Sequence, residues 1–237
     1  MTIGKDGGIP LYQRILLKIS GEALSSKDAT LCNETILHTA GQLAALAKRG
    51  VEIGVVVGGG NIMRGRSAGN MERNRADHMG MLATAINALA LCDALEQQGV
   101  EAVVLSAVEM PKFCDLYTSR AAKEHLSKKR VVIFACGSGC PFFSTDTAAA
   151  LRAAEIGADV LLLAKNVDAV YSADPKLVPD AVRYSELTYD KVIADDLHAT
   201  DLTAITLCKE QRIPIHVFAL DEILRVFETE GIGTVIH

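Results

Sequence analysis

Val51-Glu52-Ile53-Gly54-Val55-Val56-Val57 runs directly into Gly58-Gly59-Gly60-Asn61, and the reading of this junction decides the fold. A valine-rich run of that length reads as a buried strand. Glycines at its end let the backbone approach a ligand with no side chain in the way. Their N–H groups can cradle phosphate oxygens, and Arg64 just beyond adds a planar fork of donors. A tight strand-to-helix turn with no ligand explains three glycines equally well, because a lone glycine-rich loop is weak evidence.

A second strand end carries the same chemistry. Tyr12-Gln13-Arg14-Ile15-Leu16-Leu17-Lys18-Ile19 is another strand-like run, followed by Ser20-Gly21-Glu22. Lys18 could simply snorkel to solvent. Beside Ser-Gly at a strand end, it can instead set a compact cation on a phosphate. Open α/β sheets bind ligands outside the carboxyl ends of their strands. Two phosphate-friendly strand ends therefore point to one shared crevice.

Outward from these junctions, strands and helices alternate. Strand-like runs fall at Arg14–Ser20, Val51–Val57, Val100–Leu105, Arg130–Ala135, Asp159–Ala164, Pro214–Phe218 and Thr234–Ile236. Helical spacing marks Asn33–Arg49, Glu72–Gln98, Thr118–Leu126, Thr145–Ile156, Asp201–Gln211 and Asp221–Phe227. Such alternation means βαβ units, a mainly parallel sheet and helices on both faces. No repeat or composition shift marks a linker. Residues 1–10 read as a frayed tail and residues 11–237 as a single domain.

Composition narrows the function classes. Lys plus Arg is 24 against 29 Asp plus Glu, so the net charge of −5 lacks the basic footprint of a nucleic-acid binder. Trp is absent, which argues against base-stacking platforms. No apolar run approaches the length of a membrane span, and the start lacks a signal peptide's apolar core. A cytoplasmic protein is expected. The six cysteines are scattered, and Cys136 and Cys140 have no partner pair to complete a zinc set, so no metal site is assigned to them. Buried or half-buried free thiols are the default.

Two further loops follow strands. Cys136-Gly137-Ser138-Gly139-Cys140-Pro141-Phe142-Phe143-Ser144-Thr145-Asp146 leads into an alanine-rich helix that Ser144 or Thr145 can cap. Two phenylalanines in a Gly/Ser loop at a helix N-terminus suit a base and a phosphate together. Asp146 could position Lys18 or a metal. Lys165-Asn166-Val167-Asp168-Ala169-Val170-Tyr171-Ser172-Ala173-Asp174-Pro175 reads alone as an Asx-and-Pro turn region, yet it offers the Tyr171 ring to an adenine.

Taken together, these segments resemble the bacterial uridylate kinases of the amino acid kinase family. The resemblance rests on Arg14–Leu24, Gly58–Asn61 with Arg64-Gly65, Asp77–Thr84, Pro141–Asp146, Val167-Asp168, Ala173–Pro175 and Ile213–Phe218. They stand in family order over nearly the whole chain. The resemblance implies a three-layer α/β/α sandwich with a mainly parallel central sheet. It implies ATP and UMP as substrates, Mg²⁺ accompanying ATP, UTP as a feedback inhibitor and a homohexamer. Lys18, Ile19, Ser20, Gly21, Gly60 and Arg64 would face ATP phosphates. Lys165, Asn166, Tyr171 and Asp174 would lie at the adenosine end. Gly59 and Asp77 would contact UMP, and Ser138, Gly139, Cys140, Pro141, Phe142, Phe143, Ser144 and Thr145 would wrap its uracil and phosphate. Asp146 and Asp201 would organise the lysine and Mg²⁺, making Lys18, Arg64, Asp146 and Asp201 the catalytic set.

Phosphoryl transfer between two anions needs charge neutralisation and positioning, and an ionised phosphate acceptor needs no general base. The lack of a dedicated His, of G-x-x-x-x-G-K-[ST] and of a protein-kinase signature is consistent with that. Several positions depart from the family pattern. Ser25–Asn33 is not glycine-rich, and Cys92, Glu96 and Val103 stand where basic residues would meet an effector phosphate, so weak or absent activation by GTP is expected. Ala169 replaces a glycine, Lys165 a threonine and Cys140 an asparagine. Two other classes stay open: a sibling kinase acting on a carboxylate or carbamate, and a non-catalytic nucleotide-binding protein on the same fold.

Overall fold

The computed structural model describes residues 12–63 and 70–237. The tail expected over residues 1–10 lies outside the described residues. The strands are β1 (Arg14–Ile19), β2 (Glu52–Val57), β3 (Ala102–Ser106), β4 (Asp115–Leu116), β5 (Val131–Ala135), β6 (Val160–Lys165), β7 (Val170–Tyr171), β8 (Arg183–Tyr184), β9 (Glu186–Leu187), β10 (Ile215–Ala219) and β11 (Thr234–Ile236). The helices are α1 (Asn33–Lys48), α2 (Arg73–Gln97), α3 (Ser119–Ser127), α4 (Thr145–Ile156), α5 (Tyr189–Ala194) and α6 (Leu202–Gln211).

Nine strands form one sheet in the order β4-β3-β5-β2-β1-β6-β10-β11-β9, while β7 and β8 pair as a separate antiparallel ribbon. Every pairing in the large sheet is parallel except β10 with β11. The middle strands are apolar over most of their length because both faces are covered, with charges such as Arg14, Glu52, Lys18 and Lys165 at or near their ends. Ile15, Leu17, Ile53, Val55 and Leu162 pack with α1 and α2 on one side; Leu16, Val56, Leu161 and Leu163 pack with α4 and α6 on the other. This alternation along each strand is the period-2 pleat, and it yields the three layers that the sequence predicts.

Two expectations need correction. The stretch 221–227 is not an α-helix: it makes two short 3₁₀ turns, Leu220–Glu222 and Arg225–Phe227. A segment so brief gains few i→i+4 bonds, and 3₁₀ geometry is used in such pieces. And one helix, α2, is long and apolar enough by length and composition to cross a membrane. Its alanine-rich face (Ala76, Ala83, Ala88, Ala94), with Leu91 and Leu95, is buried, and the helix packs on α1, β3 and β5. Small side chains let the helix lie close to its neighbours, so tertiary packing accounts for much of that apolarity. Cys140 is exposed, unlike the half-buried default; all six thiols are free.

β1, β2 and β6 are adjacent and in register, with Lys18 beside Val56 and Leu163. Their carboxyl ends therefore open onto one edge, where the site lies.

Candidate active site

The glycine loop after β2 is fixed by a buried amide. Gly58 donates its N–H to the Ile19 carbonyl at 2.9 Å, carrying the β1–β2 pairing one residue into the loop. Asn87, fully buried on α2, donates from Nδ2 to the Gly58 carbonyl at 2.6 Å and to Asn61 Oδ1 at 2.8 Å. Asn61 in turn donates to Asn87 Oδ1 at 3.1 Å and to the Thr30 carbonyl at 2.8 Å. Glycine is required where these segments meet. A Cβ on Gly21 would stand 2.2 Å from Asn61 Oδ1, and one on Gly59 would stand 2.8 Å from the Gly80 carbonyl and 2.9 Å from Ala83 Cβ. Ile19 buries its side chain in the core, so only its backbone reaches this edge. Arg64 lies outside the described residues.

Beside this loop stands a cluster of charges. Lys18 Nζ lies 2.5 Å from Asp146 Oδ1, and both side chains are largely buried, at 12% and 16% exposure. Lys165 Nζ lies 3.4 Å from Asp146 Oδ2, and the Thr200 hydroxyl donates to the same oxygen at 2.8 Å. Burial opposes ionisation of Asp146, but the Lys18 and Lys165 charges outweigh it and hold its pKa at about 2. It is a carboxylate throughout the neutral range. Burial lowers the Lys165 pKa below the ordinary lysine value, helped by the Lys18 charge and opposed by Asp146.

The N-terminus of α4 completes this centre. Ser144 is its N-cap and accepts from the N–H groups of Asp146 at 3.1 Å and Thr147 at 3.0 Å. The Ser144 hydroxyl donates to Asp201 Oδ2, and the Thr147 hydroxyl donates to Asp201 Oδ1 at 2.8 Å. Asp201 is itself the N-cap of α6, accepting from Ala204 N–H at 2.9 Å. Asp146 thus gathers the lysines, while Asp201 ties two helix starts together.

Two cavities flank the centre. One, of about 200 Å³, is lined by Gly59, Gly60, Asp77 and Thr84 on one side and by Cys136, Ser138, Cys140, Phe143, Ser144 and Thr145 on the other. Gly139, Pro141 and Phe142 stand outside this lining. Thr84 Oγ1 accepts the Cys136 N–H at 2.8 Å, joining α2 to the loop wall. Asp77 Oδ2 accepts the Phe142 N–H at 2.9 Å, and both its oxygens lie 2.9 Å from Arg73 Nε. Burial opposes its ionisation, yet the Phe142 N–H and the Arg73 guanidinium bring the Asp77 carboxyl below its usual value. Phe142 has φ +70°, a left-handed conformation that costs a bulky residue about 1–3 kcal/mol, and the residue is 67% exposed.

The other cavity, of about 460 Å³, is lined by Lys165, Val167, Ala169, Tyr171 and Asp174 with Leu197, His198 and Ala199 opposite. The β7–β8 ribbon frames it: the Tyr171 hydroxyl donates to Asp168 Oδ1 at 2.9 Å, and Arg183 Nε donates to Asp168 Oδ2 at 3.2 Å. Asp174 accepts the Lys176 N–H at 2.9 Å, and Asn166 donates to Glu22 at 3.2 Å. Among the described residues no group of three His, Cys, Asp or Glu side chains is placed to hold a metal ion.

Sequence reading missed the second-layer groups Thr200, Thr147, Asn87 and Arg73. Asn87 alone carried a signal, as one amide inside the apolar run Ala85-Ile86-Asn87-Ala88-Leu89. The rest are polar residues on polar segments, and only folding brings them to their partners.

A crevice at parallel strand ends, with a buried lysine–carboxylate pair between two cavities, defines a phosphate-handling α/β protein. The chain belongs to the amino acid kinase family, whose model matches residues 13–219. It is similar in structure to UMP kinase from Bacillus anthracis, with TM-score 0.93 and 33% identity over 96% of this chain and 97% of that one. It is similar also to UMP kinase from Ureaplasma parvum, with TM-score 0.89 and 37% identity over 96% and 99%. Uridylate kinase from Archaeoglobus fulgidus matches with TM-score 0.71 and 30% identity over 94% and 99%.

Proposed function

We propose that this chain is a UMP kinase, transferring the γ-phosphoryl group of ATP to UMP to give UDP and ADP. The observation that carries this reading is the Lys18–Asp146 pair standing between two cavities, on a chain that is 30–37% identical over nearly its whole length to three such kinases. UMP is assigned to the cavity lined by Asp77 and Phe143–Thr145, and ATP to the cavity lined by Tyr171 and Asp174.

The step is an in-line displacement. A UMP phosphate oxygen forms a bond to the γ-phosphorus as the bond from that phosphorus to the β,γ-bridging oxygen breaks, leaving ADP. The attacking oxygen is already ionised at neutral pH, so no proton needs removal. What the protein supplies is charge and position. Lys18 faces the transferring group, the glycine backbone brings donors close, and the start of α4 adds its N–H dipoles. Mg²⁺ enters as part of the MgATP substrate, consistent with a centre whose carboxylates already meet lysines and hydroxyls.

Residues 11–237 form one domain in this reading, since one sheet takes strands from Arg14–Ile19 through to Thr234–Ile236. The chain would serve pyrimidine nucleotide synthesis in the cytoplasm, where six free thiols are at home. UTP inhibits by placing its uracil in the UMP cavity. A homohexamer is supported by Met79, Leu82, Ile86 and Leu89, exposed at helical spacing on α2.

A coupled ADP-release assay over UMP, CMP, dUMP and aspartate tests the assignment. UMP should give the highest kcat/KM by a wide margin. Preference for aspartate would move the protein to the carboxylate kinases, and ATP binding without acceptor-dependent ADP release would make it a binding protein.

A further inference from the structure

Lys165 lines the cavity of Tyr171 and Asp174, and its ammonium also meets the carboxylate that Lys18 holds. It is the last residue of β6, one strand over from Lys18, with Ala219 of β10 on its other side. Its ammonium rests 3.4 Å from Asp146 Oδ2, while Lys18 holds the other oxygen of the same carboxylate at 2.5 Å. The two ammonium groups thus sit on either side of one carboxylate. Thr200 is the nearer partner of Oδ2 at 2.8 Å, so Lys165 is a loose second partner there. Among the described residues Asp146 is its hydrogen-bond partner, and an ammonium has three donors to give. Asp146 adjoins Ser144 and Thr145 of the acceptor cavity, and Lys165 lines the donor cavity. The row Lys18–Asp146–Lys165 therefore spans the ground between the two cavities.

We propose that Lys165 is a further catalytic cation, which leaves Asp146 for the γ-phosphoryl group of ATP and works there beside Lys18. Two like charges held near each other repel, and Asp146 offsets that repulsion until a multiply charged phosphate arrives. Partial burial strengthens the attraction to the phosphate by excluding water. The inference rests on the kinase reading above for its acceptor, but not for the position of the triphosphate.

The test separates the two. Binding of MgATP and MgADP, without acceptor, is measured by calorimetry on wild-type enzyme and on Lys165→Met. A contact to the γ-phosphoryl group lowers ATP affinity about tenfold more than ADP affinity, on the scale of one charge-assisted bond. Turnover with UMP falls by about 10²-fold, while the KM for UMP changes less than about threefold. Lys165→Arg, which keeps the cation, restores turnover to within about tenfold of wild type. Equal losses of ATP and ADP affinity would return Lys165 to the adenosine end. Turnover of Lys165→Met within about threefold of wild type would also overturn the proposal. If wild-type enzyme shows no UMP-dependent ADP release, the kinase reading fails, and the ATP-to-ADP affinity ratio still decides where Lys165 acts.

Discussion

Two of the regions that set arginine or lysine beside carboxylates differ in what surrounds the charges. At the strand ends, Lys18, Lys165 and Asp146 are largely enclosed, next to glycine backbone and two helix N-termini. At the N-terminal ends of β3 and β5, a crevice of about 540 Å³ is lined by Glu96, Glu101, Val103, Asp115, His125 and Arg130. There Arg130 lies on Glu101 at 2.6 Å, and the pair is open to water, with Glu101 73% exposed. An exposed pair is worth about 0–1 kcal/mol. Enclosure, more than the number of charges, is what suits the first region to the anion role proposed for it. The second offers one arginine, already engaged, among three carboxylates.

The largest expected effect probes the enclosed region. On the proposed assignment, Lys18→Ala removes the cation nearest the moving phosphoryl group, and turnover should fall by about 10²–10³-fold. Steady-state kcat measures it, with circular dichroism to show that the fold survives. Near-normal turnover would mean that enclosure here serves only the core.

A smaller effect is expected at the wall of the acceptor cavity. Asp77→Asn keeps an acceptor for the Phe142 N–H but loses the charge that meets Arg73. The KM for UMP should rise by about tenfold, the scale of a charged hydrogen bond, and the KM for ATP should change little. Equal changes in both would mark Asp77 as a support for the Phe142 loop alone.

The smallest effect is expected at the exposed crevice. A GTP effector needs a cluster of donors to offset the desolvation of its phosphates. Glu96 and Glu101 would repel it, and Arg130 is already paired. Titrating GTP at fixed ATP and UMP should leave the rate flat at physiological salt, with UTP inhibition intact. A saturable several-fold activation would show that open charge can assemble a phosphate site after all.

The strand ends were legible because their code is local. A valine run ending in Gly58-Gly59-Gly60, and Lys18 ahead of Ser20-Gly21, state strand, stop and backbone access within a few residues each. A cap at Ser144 or Thr145 was legible for the same reason, since an N-cap bonds within its own first turn, and the fold makes it Ser144. The segment 221–227 misled because its apolar spacing is too short to select between α and 3₁₀ turns. Resemblance placed Lys165 with Asn166 and Tyr171, and it does line the Tyr171 cavity; that its ammonium also meets Asp146 was not legible, since the two lie on different elements.

By itself, then, the sequence determined the alternation of strands and helices, the sheet they must share and its two glycine-bearing strand ends. Each follows from periodicity or from turn chemistry, which act over a few residues. Only the tertiary structure decided which charges meet. Asp146 reaches Lys18 across 128 positions and Thr200 across 54, and Asn87 reaches Gly58 across 29. Those bonds are made because parallel β1, β2 and β6 bring their ends to one edge and α2, α4 and α6 close over it. A residue's type states what it can bind, but its partner and its shelter from water, which set the strength of the interaction, are properties of the packed chain.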